Sequence, residues 1–152
     1  MFVFHPKFGL FAIAGIVISS IVSGCSDTKY TQCEQIFKIA HQVNSKVESI
    51  TSINTVADEI PQEMKSWLEA ADLMEQAAHQ IQALHINNAE LIKYQTGLAN
   101  IYQIYSQATY DAVQAKESKN INALISARDR ANTAGEIQQK LVKKINSYCL
   151  NK

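Results

Sequence analysis

Apolar residues recur at alternating intervals of three and four residues in four separate runs of the chain. This spacing places each run on one face of an α-helix, and the remaining faces are mostly Gln, Asn, Lys, Glu and Ser. A single helix cannot bury such a face, whereas four helices packed together can. The pattern therefore predicts an all-α fold, an antiparallel four-helix bundle. The first two runs are Cys33, Ile36, Ala40, Val43, Val47, Ile50 and Ile60, Met64, Trp67, Ala71, Met74, Ala78, Ile81. The last two are Leu91, Tyr94, Leu98, Ile101, Tyr105, Ala108, Ala112, Ala115 and Ile121, Leu124, Ala127, Ala131, Ala134, Ile137, Leu141, Ile145, Tyr148.

The segments between these runs are short, which favours antiparallel neighbours and an up-down-up-down topology. The predicted connections lie around residues 54–59, 85–88 and 117–120. Beyond Gly24, only Gly97, Gly135 and Pro61 supply the residue types that punctuate strands and hairpins. This scarcity disfavours a β-fold, which needs turn residues at short intervals.

Three local patterns predict where helices begin or change direction. Thr31 and Glu34 have the spacing of a capping box, so the first helix is expected to begin at Thr31. Asn87 or Asn88 is expected to cap the third helix. Gly135 lies within another capping-box spacing in the fourth run, and it indicates either a kink or break there or the close approach of another helix.

The N-terminus carries one lysine, Lys7, and then an uncharged apolar run over residues 9–22. This run is shorter than the ~20 residues that a spanning helix needs, and it ends in small residues, which fits a removable export signal. The tetrad Val22-Ser23-Gly24-Cys25 resembles the lipobox of bacterial lipoproteins. That resemblance implies lipidation of Cys25 and removal of residues 1–24. An uncleaved anchor helix is the alternative.

We therefore expect a signal peptide over residues 1–24, a lipidated tether over residues 25–30 and a helical domain over residues 31–150. The predicted location is extracytoplasmic, with the lipid anchor in a bacterial membrane on its periplasmic or thylakoid-lumen side. After removal of the signal, 13 basic residues face 14 acidic ones. Such a balance offers no basic surplus for phosphate neutralisation, so we expect no nucleic-acid partner.

The chain has three cysteines, which leaves one unpaired in an exported protein. If Cys25 is lipidated, Cys33 and Cys149 remain as a disulfide pair in an oxidising compartment. They lie at the start of the first helix and the end of the fourth, and in a bundle with an even number of antiparallel helices these ends coincide. A bridge requires Cα atoms about 4.4 to 6.8 Å apart. The pair would hold the C-terminus near the membrane.

Motifs for catalysis or cofactor binding do not occur in the sequence. It has no Glu-x-x-His pair of a di-iron bundle, no Cys-x-x-Cys-His and no His-Glu-x-x-His. It also lacks Gly-x-Ser-x-Gly and a phosphate-binding glycine loop. We therefore expect no enzymatic activity, no metal and no cofactor.

Three segments resemble a family of small uncharacterised cyanobacterial lipoproteins. They are YQTGLANIYQIYSQAT at 94–109, INSYC at 145–149 and QCEQIFKIA at 32–40. The resemblance covers most of the chain that follows the signal. It implies export, lipid anchoring and a helical fold, and it carries no assigned activity.

Aromatic residues supply the remaining functional hint. Trp67, Tyr94 and Tyr105 could line a slot for an apolar ligand, although filling of the core is the simpler explanation. Two functions are thus open. The first is a non-enzymatic interaction module that presents a helical face to another envelope or lumenal protein. The alternative is a carrier or sensor that binds a lipid, pigment or other apolar molecule between helices.

Overall fold

The computed structural model of the protein describes residues 28–53 and 60–150. Across these ranges the chain forms four helices and no strand, so the predicted all-α bundle is confirmed. The helices are α1 (Lys29–Ile53), α2 (Ile60–Gln82), α3 (Ala89–Glu117) and α4 (Ile121–Leu150). The predicted signal peptide and residues 25–27 of the predicted tether, including Cys25, lie outside the described residues.

The four helices pack unevenly. Helix α3 lies between α2 and α4 and packs extensively on both, whereas α1 packs mainly on α2. Helix α1 meets α4 and α3 only over short stretches. The up-down-up-down order is therefore present, but the seam between α1 and α4 is narrow.

A disulfide joins Cys33, near the start of α1, to Cys149, at the end of α4. The Cα atoms are 6.1 Å apart, within the range that an unstrained bridge needs. The two cysteines are 116 positions apart in the sequence, and closing a loop of that size stabilises a fold by about 4–5 kcal/mol in the chain-entropy model. The predicted pairing and the predicted even number of helices are both confirmed.

Side-chain size in the core changes along the bundle. The large apolar side chains that are fully buried all lie toward the disulfide end, and they are Ile36, Ile81, Leu91 and Ile145. Toward the opposite end the buried apolar residues are mostly small, and they include Ala70, Ala71, Ala108, Ala115 and Ala127. Packing of large side chains therefore holds one end of the bundle together more strongly than the other.

A buried amide completes the disulfide end. Gln32 is fully buried, and its side-chain oxygen accepts hydrogen bonds from the backbone N–H groups of Asn87 and Asn88, each at 3.1 Å. Its amide nitrogen donates to the side-chain oxygen of Asn87. The Tyr148 hydroxyl donates to the side-chain oxygen of Asn88 at 3.0 Å. The start of α1, the α2–α3 connection and the end of α4 are therefore joined at one place.

The predicted capping box at Thr31 is wrong. Helix α1 begins earlier, because the Thr28 hydroxyl accepts a hydrogen bond from the Thr31 N–H at 3.3 Å and acts as the cap. Two threonines three residues apart both offer a capping oxygen, and the earlier one adds a turn of helix. At α3 the cap is Asn88, whose side chain accepts from Glu90 and Leu91 N–H groups at 3.1 Å, as one of the two predicted alternatives.

Helix α4 is unbroken at Gly135, so the predicted break is absent and the close-approach alternative holds. A Cβ atom on Gly135 would lie 3.2 Å from the Tyr105 hydroxyl oxygen. That hydroxyl donates to the side-chain oxygen of Gln138 at 2.8 Å, which turns Gln138 toward α3. The predicted apolar face of α4 is therefore wrong at two positions, since Ile137 is 47% exposed and Ile121 is 64% exposed.

Candidate functional site

An apolar cleft opens between the helices in the half of the bundle remote from the disulfide. Its volume is about 530 Å³, within the ~300–1,000 Å³ typical of small-molecule sites. All four helices contribute side chains to it. The lining comprises Val47 of α1; Trp67, Ala70 and Met74 of α2; Ala108, Thr109 and Ala112 of α3; and Leu124, Ile125, Ala127, Arg128 and Ala131 of α4.

The cleft exists because α3 and α4 present alanines where the opposite end of the bundle has larger residues. Ala108 and Ala112 of α3 face Ala127 and Ala131 of α4 across it. Methyl side chains at these positions fill less of the space between the helices than the larger residues of the opposite end do. The narrow α1–α4 seam leaves the remaining space open.

Trp67 is the chain's single tryptophan, and its position in the cleft is fixed by charged neighbours. The Lys116 ammonium lies 4.7 Å from the centroid of the Trp67 ring. The same ammonium donates to a Glu63 carboxylate oxygen at 2.7 Å. A cation over the indole face contributes ~0.5–1 kcal/mol at an exposed site. The Lys116 ammonium therefore stabilises the indole in its position as one wall of the cleft.

The polar groups around the cleft already have partners. Lys116 is paired with Glu63, and Arg128 contacts the carboxylate of Asp129 at 3.1 Å. The Thr109 hydroxyl donates to the backbone oxygen of Tyr105 at 2.8 Å. The one charged side chain in the lining, Arg128, is therefore paired, and the rest of the lining is apolar except for Thr109.

The two tyrosines predicted beside Trp67 do not line this cleft. Tyr94 lies at the disulfide end, where its ring meets Tyr148 edge-on with centroids 5.9 Å apart. Tyr105 lies between α3 and α4, and its hydroxyl donates a hydrogen bond to the Gln138 side chain. Tyr102 is buried, and its hydroxyl has no hydrogen-bond partner among the described residues. Burial raises the pKa of Tyr102 to about 12.

A second apolar surface runs along the outer side of α3 and α4. It is a groove of about 600 Å³ whose lining includes Ile104, Ile125 and Ile137. These isoleucines are 39%, 42% and 47% exposed. We refer to this surface as the isoleucine groove.

Charged contacts fasten α3 to both of its neighbours. The Tyr110 hydroxyl donates to the Asp72 carboxylate of α2, and this bond raises the pKa of Tyr110 to about 12. Arg130 of α4 donates to Asp111 of α3, and the guanidinium lowers the pKa of Asp111 below its usual value. These contacts hold the α2, α3 and α4 walls of the cleft in register.

None of the described helices contains an apolar stretch long enough to cross a membrane. Among residues 28–53 and 60–150, no three His, Cys, Asp or Glu residues are grouped as metal ligands would be. Comparison with protein-family models, curated proteins and solved structures gives no significant match.

Sequence reasoning identified Trp67 but missed the alanines opposite it. The signal was present, because the third and fourth apolar runs contain alanine at successive core positions, Ala108, Ala112 and Ala127, Ala131. Small residues on two adjacent helices leave space that larger side chains would fill.

Proposed function

We propose that the protein is a membrane-tethered, non-enzymatic binder that takes a small apolar molecule into the cleft beside Trp67. The observation that carries the proposal is the cleft itself, which has an apolar lining contributed by four helices and a volume suited to a small molecule. A well-packed bundle of this size would fill the same space with side chains.

The tether belongs to the same proposal and rests on the sequence alone. Cys25 lies four positions before Lys29, the first residue of α1, and four residues of extended chain reach at most ~14 Å. The disulfide end would then face the bilayer. The cleft begins about 30 Å farther along α4, on the side that faces the aqueous compartment.

Native mass spectrometry of the protein extracted from its own membrane tests ligand binding. We expect a copurifying small molecule on the wild-type protein and its loss from Ala131→Leu, which fills the cleft. Ala123→Leu is the matched control, because Ala123 is also half-buried on α4 but does not line the cleft. Equal ligand content in the two variants would refute the assignment of the cleft.

The intact mass of the same preparation tests the anchor. We expect residues 25–152 plus acyl chains, with two alkylatable thiols appearing only after reduction. An unlipidated mass with three free thiols would refute the anchor.

The isoleucine groove favours a second function, that of an interaction module. Three partly exposed isoleucines on adjacent helices form an apolar surface that an envelope or lumenal protein could cover. Affinity capture from native membranes tests this function. A partner retained by wild type and lost with Ile104→Glu supports the module, whereas a partner retained by both contradicts it.

A further inference from the structure

We infer that the cleft is built for an uncharged, compact, ring-containing molecule rather than for an extended acyl chain or an anion. This inference rests on the proposed ligand-binding function and narrows it to a ligand class.

The length of the cleft supplies the first argument. On α2 its lining extends from Trp67 to Met74, and on α4 from Leu124 to Ala131. Seven residues of helix rise about 10 Å. One acyl chain of a membrane lipid spans half of the ~30 Å hydrocarbon core, about 15 Å. An extended chain of that kind would project from the cleft into water.

The width of the cleft supplies the second argument. A volume of about 530 Å³ over a length of about 10 Å gives a width of about 7 Å. Carbon atoms in contact lie ~3.5–4.0 Å apart, so a single polymethylene chain would leave much of that width empty. A ring system fills it, and Trp67 offers the flat apolar wall against which rings pack.

The charges at the rim supply the third argument. Arg128 is the one charged residue in the lining, and it contacts the Asp129 carboxylate at 3.1 Å. Lys116, over the Trp67 ring, is paired with Glu63. An anionic ligand would have to compete with Asp129 for Arg128, whereas an uncharged ligand would leave that pair in place. The interior polar group, Thr109, donates its hydroxyl to the backbone oxygen of Tyr105.

Three probes separate shape from charge. N-phenyl-1-naphthylamine is neutral and compact, and 8-anilinonaphthalene-1-sulfonate has the same ring system with one negative charge. Hexadecan-1-ol is neutral and extended. Each is titrated into the full protein, with emission of the single tryptophan, Trp67, as the readout and native mass spectrometry as confirmation.

We expect the neutral compact probe to bind at least tenfold more tightly than either of the others. Ala131→Leu should weaken its binding at least tenfold, while Ala123→Leu should leave it within twofold. If Ala131→Leu does not fold by circular dichroism, Ala112→Leu fills the same cleft from α3 and serves in its place.

Each of the other outcomes would overturn a different part of the inference. Tighter or equal binding of hexadecan-1-ol, with the same dependence on Ala131, would overturn the compact shape and keep the proposed function. Equal binding of the sulfonate would overturn the preference for an uncharged ligand. Binding of no probe, together with no copurifying ligand, would overturn the proposed function as well.

Discussion

The buried amide of Gln32 is expected to make a large contribution to stability for a single side chain. Its amide group takes part in three hydrogen bonds with Asn87 and Asn88, and the residue is fully buried. Each intramolecular bond contributes ~1 kcal/mol net, and an unpaired buried donor costs ~1–3 kcal/mol. Asn87 is exposed, so water can replace some of the hydrogen bonds that Asn87 and Asn88 lose in Gln32→Ala. We therefore expect a loss of about 2–3 kcal/mol in the free energy of unfolding.

Urea unfolding of the oxidised protein, followed by circular dichroism, measures that loss. Gln42→Ala is the control, because Gln42 is exposed on the same helix and the change in helix propensity is the same. Hydrogen exchange at the Asn87 and Asn88 amides should accelerate in Gln32→Ala alone. If the free energies of unfolding of the two variants differ by less than about 0.5 kcal/mol, half the value of one hydrogen bond, the Gln32 hydrogen bonds do not make the expected contribution.

Three further variants test other features of the fold. Tyr102→Phe should stabilise the protein by about 1 kcal/mol in thermal or urea unfolding, because it removes a buried hydroxyl with no partner among the described residues; a loss of stability would show that the hydroxyl is satisfied. Lys119 has a φ of 54°, a left-handed conformation that costs a non-glycine residue ~1 kcal/mol, so Lys119→Gly should raise the unfolding midpoint. The Arg130 contact lowers the pKa of Asp111 below the usual 3.8, and its stabilising effect is therefore present above that pH and lost as pH falls through the lowered value. Unfolding curves should accordingly show Arg130→Gln less stable than wild type at pH 7 and indistinguishable from it at the acid end, and a difference that persists in acid would contradict the assignment.

The sequence predicted the architecture well because its physical basis is periodic. Alternating spacings of three and four residues determine which face of a helix is apolar, and four such faces require a bundle. The Cys33–Cys149 bridge followed from counting cysteines, and the parity of four antiparallel helices placed both cysteines at the same end of the bundle. Asn88 as a cap followed from local chemistry. All of these inferences depend on residues near one another in the sequence or on parity.

The features that were missed depend on pairs of residues far apart in the sequence. Gln32 is paired with residues 55 and 56 positions away, and Tyr105 with Gln138, which is 33 positions away. In a periodicity pattern a buried glutamine cannot be distinguished from a solvated one. The periodicity pattern predicted that Ile137 would face α3, but the side chain that faces α3 there is Gln138. The cleft was missed for a related reason, because a cavity arises from the summed volume of four helices and not from any one of them.

The Cys33–Cys149 disulfide and the Gln32 hydrogen bonds also determine where a mechanical force on the N-terminus is transmitted to the domain. The chain that precedes Thr28 connects to α1 only five residues before Cys33. A pull from that side passes through a covalent bond to α4 and through Gln32 to the α2–α3 connection. The force is therefore transmitted to all four helices at the disulfide end of the bundle. The cleft lies about 30 Å away along α4, outside the residues that transmit this force. We therefore expect a pull on the N-terminal segment to leave the shape of the cleft unchanged.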